Sequence, residues 1–306
     1  MAVLVTGGAG FIGSHIVDKL IEDGKEVVVF DNLVSGKQEN VNEKAGFIKG
    51  DLVDAEEIDK VLKDNNIEEV WHLAANPNVN ISDAEVHFKQ NVLTTYNLLE
   101  AMVKYDVKKI RFTSTSSVYG EAKQIPTPED YIPLMPVSVY GAAKLVAESL
   151  IREYSNKFGV TAVIFRFANI IGGRSNHGVV VDFVRKLRQD PNELEILGDG
   201  KQCKSYLHVL DCVDATFHAS SQQKGAVELY NIGSNDRITV DKIADIVAKE
   251  MQLTPKRNYT GGRVGWKGDV PLMLLSIEKL KSIGWTPKMN SADAVQKTVC
   301  EILGKV

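Results

Sequence analysis

The chain opens on Ala2-Val3-Leu4-Val5-Thr6-Gly7-Gly8-Ala9-Gly10-Phe11-Ile12-Gly13. A short β-branched run, glycines at Gly7, Gly10 and Gly13, and an amphipathic stretch over 12–22 read as strand, tight turn and helix. Glycines let such a turn close and let backbone approach a pyrophosphate. The helix start then offers free N–H groups and the positive end of its dipole. Turn glycines that serve packing alone share this spacing; the strand before and the helix after favour a dinucleotide site.

The rhythm continues outward from that unit. Strand-like runs at 26–30, 45–48, 70–73, 109–113 and 161–165 alternate with helical stretches at 55–64, 85–104 and 138–157. Continuous apolar strands separated by helices predict an α/β fold: a Rossmann doubly wound parallel sheet with helices on both faces. Ligands in such sheets bind at the carboxyl ends of the strands, where strand order reverses. After about Asn169 the pattern loosens into Gly-rich pieces (172–178, 198–200) with helices at 182–189 and 240–251. The expected division is a dinucleotide-binding domain over 1–171, to which 203–221 returns, and a smaller C-terminal substrate-binding lobe mainly over 172–306.

The second strand ends at Asp31, where the dinucleotide fingerprint expects an acid on the ribose hydroxyls. A carboxylate there repels a 2′-phosphate, so NAD is expected over NADP, with Asn32, Ser35 and Gly36 lining the ribose. Lys37 is the residue that argues the other way. Asp51-Leu52 is placed to meet the adenine, and Leu73-Ala74-Ala75 offers small side chains at another strand end. Each of these pairs also suits an ordinary turn.

Tyr140 and Lys144 stand four residues apart in Ser138-Val139-Tyr140-Gly141-Ala142-Ala143-Lys144, on one face of a helix. An ammonium beside a phenol stabilises the phenolate, which can take a hydroxyl proton while a nicotinamide accepts hydride. The pair therefore predicts nicotinamide-dependent chemistry on an alcohol.

With TGGAGFIG, DNLVSG, HLAA, STSSVYG and YGAAK in this order, the chain resembles the extended short-chain dehydrogenase/reductase superfamily from Val3 to about Pro287. Within it the likeness is greatest to the UDP-glucose 4-epimerases and their short archaeal and bacterial relatives. The resemblance implies Tyr140 as base, Lys144 as the group that lowers its pKa and holds the nicotinamide ribose, and Thr115 as the assisting hydroxyl. It further implies cofactor contacts from Phe11, Ile12, Asn91, Thr113 and Phe167. The implied cycle oxidises the sugar at C4, turns the 4-keto sugar about its diphosphate tether, and returns hydride to the other face, so that NAD is regenerated.

For the substrate, the resemblance implies Asn169 on the diphosphate, Gly178 and Val179 in the loop that follows the uracil, and Tyr206 nearby. Lys204-Ser205 stands where relatives have Arg-Asp, so Lys204 or Arg263 is expected to clamp the diphosphate. Asp269, in Gly265-Trp266-Lys267-Gly268-Asp269, is expected on a ribose. By the same resemblance Met273 is expected near the sugar 2-substituent, and its flexibility keeps N-acetylhexosamine and glucuronate versions open. Dehydratases of this fold carry an Asp-Glu pair after the threonine. Here Ser116 and Ser117 stand there, which demotes dehydration. A simple reductase or a non-catalytic NAD sensor could be built on the same fold. His72 and His208 are expected as core or network residues.

Composition agrees with a globular enzyme. The chain has 306 residues, 44% hydrophobic and 25% charged, with a net charge of -4 that gives no invitation to nucleic acid. No apolar run approaches the ~20 residues of a membrane span. Cys203, Cys212 and Cys300 lack metal-site spacing, and Met1 leads directly into a strand, so a cytoplasmic, metal-free protein is expected. The family habit of pairing two long helices per subunit, here 85–104 and 138–157, suggests a homodimer.

Overall fold

Runs rich in β-branched and aliphatic residues become the strands of a sheet covered on both sides. In a computed structural model, which describes residues 1–79, 81, 83–265 and 268–305, these are β1 (Ala2–Thr6), β2 (Val27–Asp31), β3 (Gly46–Lys49), β4 (Ile67–His72), β5 (Lys109–Thr115) and β6 (Thr161–Phe167). With the strand Val227–Ile232 they form a seven-stranded sheet. Its order is Val227–Ile232, β6, β5, β4, β1, β2, β3. The pairings β1–β2, β2–β3, β1–β4 and β4–β5 are parallel. Strand order thus reverses between β1 and β4, where Thr6 lies opposite His72.

The covering helices include α1 (Phe11–Glu22), α2 (Ala55–Asp64), α3 (Ala84–His87), α4 (Thr94–Lys104) and α5 (Val139–Phe158). Several starts have a local cause. Asp54 accepts the Glu56 N–H at the head of α2, and Ser138 accepts the Gly141 N–H at the head of α5. Gly159 ends α5 in the left-handed region (φ 71°). The single helix expected over 85–104 is interrupted: Phe88–Leu93 forms a π-helical turn between α3 and α4. That wider turn leaves room for the buried amides and hydroxyls of Asn91, Thr94 and Thr95.

Contacts between Cα atoms divide the chain into two units. The first comprises Met1–Val118, Ser138–Arg166 and Thr216–Tyr230; the second comprises Tyr119–Val137, Phe167–Ala215 and Asn231–Val306. The core of the first packs Leu4, Val28, Phe30, Val70, Ile110, Phe112 and Ile164 of the sheet against Ile58, Leu98, Met102 and Ile151 of the helices. The second gathers Phe183, Leu187, Leu194, Ile196, Ile243, Val247, Val295 and Val299 around the helices Val179–Gln189, Val240–Glu250 and Ser291–Ile302.

Candidate active site

Around the turn after β1, Gly7 and Gly13 leave no room for a Cβ. Gly7 sits at φ 71°, and a Cβ on it would lie 2.6 Å from the Ala74 nitrogen. A Cβ on Gly13 would lie 2.1 Å from the Gly7 oxygen. The backbone is thereby drawn close under the start of α1, whose N-cap Gly10 brings no side chain to its free N–H groups. Phe11 and Ile12 open that helix half-buried. A cradle that a Cβ would fill, at a helix N-terminus, suits a pyrophosphate.

Asp31 closes the cradle from the side. Its Oδ2 accepts the Ala9 N–H at 3.0 Å and its Oδ1 accepts the Leu33 N–H at 2.8 Å. Each oxygen keeps a second lone pair, so the carboxylate can still receive hydroxyl donors. Asn32 Nδ2 donates to Asp51 Oδ2 at 3.1 Å, which brings the two expected ribose and adenine positions together. Leu52 is buried beside Asp51, Ser35 is exposed, and a Cβ on Gly36 would come within 2.9 Å of Ala9. The Lys37 ammonium pairs with Glu39 at 3.1 Å on the surface.

A buried polar chain joins the strand ends. His72 Nε2 lies 3.1 Å from Thr95 Oγ1, and that hydroxyl donates its proton to the Asn91 carbonyl. His72 must therefore carry its proton on Nε2, and Nδ1 accepts from Thr6 Oγ1 at 2.7 Å. Burial, with the nearby charge of Lys144, holds the imidazole down at about 3, so it is neutral. Asn91 accepts the Asn76 N–H at 2.9 Å and donates back to the Asn76 carbonyl, which fixes the chain just beyond Leu73, Ala74 and Ala75. Asn91 also donates to His87 Nδ1 at 3.1 Å, and the His87 ring stands 6.2 Å from that of Tyr140.

Tyr140 and Lys144 lie on the first turns of α5, and Thr115 ends β5. Thr115 stands near enough to the Tyr140 phenol to favour its ionised form. Its Oγ1 accepts the Ser117 N–H and donates to Ser117 Oγ, both at 3.1 Å. Thr113 Oγ1 donates to the His72 carbonyl at 3.3 Å. The Lys144 ammonium lies 4.6 Å from the centroid of the Phe112 ring. Burial pushes the Tyr140 phenol up to about 12, and Thr115 offsets only part of this. Burial brings Lys144 down to about 7, against the pull of Glu148. Helical spacing alone predicts that the ammonium depresses the phenol. Within the protein itself desolvation opposes both charged forms and dominates, and Thr115 is the group that favours the phenolate.

Glu148 follows Lys144 by one further turn. Its carboxylate is gripped by Arg166 through Nε at 3.0 Å and Nη2 at 2.7 Å, and accepts the Ser114 hydroxyl. Sequence reasoning missed this ion pair, along with His87 and the part of Ser117 in holding Thr115. The available signal was a lone carboxylate one turn after Lys144, among Ala143, Ala147 and Ile151.

In the second unit, strand Tyr206–His208 pairs with Asn169–Ile171, placing Tyr206 opposite Asn169, and Asn169 Nδ2 donates to the Ser205 carbonyl at 2.9 Å. Lys204 pairs with Asp269, whose other oxygen accepts the Gly265 N–H at 3.0 Å. Burial, and then the Asp269 charge, raise the Tyr206 phenol. Asn169, Lys204, Tyr206 and Asp269 are thus brought together, with Met273 paired to Lys204. The Arg263 guanidinium is held by Glu121 at 2.8 Å. Gly178 (φ 98°) caps the helix that Val179 begins, and Phe167 is buried at the end of β6. Trp266 and Lys267 of the late motif lie outside the described residues. Among the described residues there is no cluster of His, Cys, Asp or Glu suited to a metal ion, and no helix is long and apolar enough to cross a membrane.

Residues 3–233 match the NAD dependent epimerase/dehydratase family. The chain is 36% identical to a putative UDP-glucose 4-epimerase of Methanocaldococcus jannaschii, over 97% of each. It is similar to the structure of a Thermotoga maritima UDP-glucose 4-epimerase with UDP-glucose (38% identity, TM-score 0.91), covering 100% of this chain and 99% of that one. It is also similar to a Thermus thermophilus UDP-glucose 4-epimerase complexed with NAD (35% identity, TM-score 0.90), covering 100% of both.

Proposed function

Because the chain belongs to the NAD dependent epimerase/dehydratase family, we propose that it is an NAD-dependent isomerase that inverts C4 of a UDP-hexose, interconverting UDP-glucose and UDP-galactose. The observation that carries this reading is the Thr115–Tyr140–Lys144 constellation on the sheet that also forms the glycine cradle. Gly7, Gly10, Phe11 and Ile12 would hold the pyrophosphate of NAD. Asp31, Asn32, Ser35 and Gly36 would hold one ribose, and Asp51 and Leu52 the adenine. Leu73, Ala74, Ala75, Asn91, Thr113 and Phe167 would line the rest, with Lys144 and Tyr140 at the nicotinamide ribose. When bound there, NAD supplies the two-electron acceptor and donor for C4 and a positive ring charge that favours a phenolate.

Tyr140, directly or through Thr115, accepts the proton of the sugar 4-hydroxyl as C4 is oxidised and returns it as C4 is reduced from the opposite face. A threonine hydroxyl can donate to a phenolate or accept from a phenol, so Thr115, which donates to Ser117 Oγ here, suits either state of Tyr140. Lys144 contributes its ammonium, and the neutral His72 keeps the strand ends in place without adding charge. Asn169, Gly178, Val179, Lys204, Tyr206, Arg263 and Asp269 are the residues we assign to the nucleotide sugar. Lys204 is our choice for the diphosphate, since a point charge can exchange Asp269 for a phosphate oxygen.

The flanking serines support epimerisation over dehydration, since neither Ser116 nor Ser117 can act as an acid or base near neutral pH. We further propose a homodimer built on α3–α4 and α5, where Phe88, Tyr96 and Val146 are exposed. The three free thiols support a cytoplasmic setting. The direct test is incubation of the purified protein with UDP-galactose and no added reductant or coenzyme. UDP-glucose should accumulate, and its absence after saturation with NAD would refute the assignment.

A further inference from the structure

Two opposite charges are sealed behind the Tyr140–Lys144 face. Glu148 is 2% exposed and Arg166 3%, and they meet in a two-point ion pair. Stability alone does not call for such a pair. Apolar residues of similar volume commonly serve a core as well or better, because both ions must be stripped of water. Its placement suggests another purpose. Glu148 lies four residues after Lys144 on α5, hence on the same face. Its third donor is Ser114, the residue between Thr113 and Thr115. Arg166 comes from β6. Three elements thus converge on one carboxylate, beside the groups assigned to the chemistry.

The rest of the Lys144 surroundings offer no counter-charge. From β5 it meets the Phe112 ring. From β4 it meets His72, which is neutral. From its own helix it has Tyr140 and Glu148, and from α3 His87 stands beside Tyr140. Among the described residues, the carboxylate acting on Lys144 is that of Glu148.

We propose that Glu148 is a positioning residue: anchored by Arg166 and Ser114, its carboxylate favours the protonated Lys144 amine against burial and ties the helix of Tyr140 and Lys144 to the strand end that carries Thr113 and Thr115. The proposal rests on the reading of Lys144 as the ammonium of the epimerisation. It assigns the buried charge a purpose that packing does not.

The test follows the Lys144 amine itself, by NMR titration of protein labelled with [15N]lysine, alongside turnover of UDP-galactose as a function of pH. The wild-type amine should titrate near about 7. In Glu148→Gln the midpoint should fall by about one pH unit, and the alkaline limb of the turnover profile should move down with it. Should that variant fail to fold, Glu148→Met combined with Arg166→Met removes the pair without stranding a charge and should move the midpoint down by a smaller amount, since no unopposed Arg166 cation adds to the fall. Ser114→Ala keeps the carboxylate and should move the midpoint by less than half as much as Glu148→Gln. An unmoved midpoint in the folded double variant overturns the proposal, as does a Ser114→Ala shift equal to that of Glu148→Gln. A midpoint that moves while the turnover profile stays fixed upholds the positioning of Lys144 and refutes its part in the reaction.

Discussion

The carboxylate of Asp31 accepts the backbone N–H of Ala9 at 3.0 Å, so the end of β2 and the glycine turn after β1 are a single hydrogen-bonded unit. A negative charge held at that place acts on whatever occupies the adjoining ribose site. NAD should therefore bind more tightly than NADP, whose 2′-phosphate meets the carboxylate directly. Asp31→Asn should narrow the gap and also loosen the turn. Dissociation constants for the two coenzymes measured by calorimetry decide the matter, and tighter NADP binding would reverse the assignment.

Tyr140→Phe removes the phenolic oxygen and keeps the ring that packs near His87. Turnover of UDP-galactose should drop by about 10²–10⁴-fold, the usual range for a lost acid–base group. NAD content and nucleotide-sugar affinity should stay near those of the parent, since the change acts on the transition state. Preserved turnover would remove the phenol from the mechanism.

Phe88, Tyr96 and Val146 present apolar surface on the two helical segments proposed to pair between subunits. Placing charges there, as in Tyr96→Glu with Val146→Glu, should convert a dimer into a monomer in sedimentation equilibrium. The buried faces of both helices are untouched, so the circular dichroism spectrum should be retained. A parent protein that sediments as a monomer would dismiss the interface.

Acid should loosen the C-terminal helix Ser291–Ile302 through Glu301. Burial opposes its charge, but hydrogen bonds from His208 and Lys297 outweigh that and hold the carboxyl down at about 2. A carboxyl with a lowered native pKa stabilises the fold above its unfolded value of 4.5, and this contribution is lost as pH falls toward 2. Glu301→Gln should therefore lower the melting temperature at pH 6 and matter much less at pH 2.5. Equal losses at both pH values would show that the charge is not what counts.

Most of the sheet was legible because its strands are short runs rich in β-branched and aliphatic residues, and β1 and α2 keep the bounds expected of them, whereas the strand Val227–Ile232 was not foreseen. Local repetition decides such elements, and nothing distant alters them. The π turn at Phe88–Leu93 was not legible: it depends on Asn91 and Thr95 reaching His72 and Asn76, partners that periodicity cannot show. The same holds for the chemistry. Tyr140 and Lys144 are visible because helical spacing brings them together. Glu148, by contrast, takes its meaning from Arg166, 18 residues away on a different element. Lys204 and Asp269 each look, from sequence, like a substrate contact, and their contact with one another spans 65 residues of chain. Short-range geometry can be read from letters, whereas long-range pairing of charges has to be seen.

The widened turn at Phe88–Leu93 also sets a limit on how this chain can change in length. The wide turn holds about one residue more than an α-helical turn, so removing a single residue there would let an ordinary α-helix form with Leu98 and Met102 still on the core face. The same deletion inside α4, ahead of Leu98, would swivel everything C-terminal to it by about 100° and carry Leu98 and Met102 out of the core. Loss of one residue should therefore be tolerated in the widened turn and lethal in the regular helix that follows it, even where the hydrophobic content is preserved.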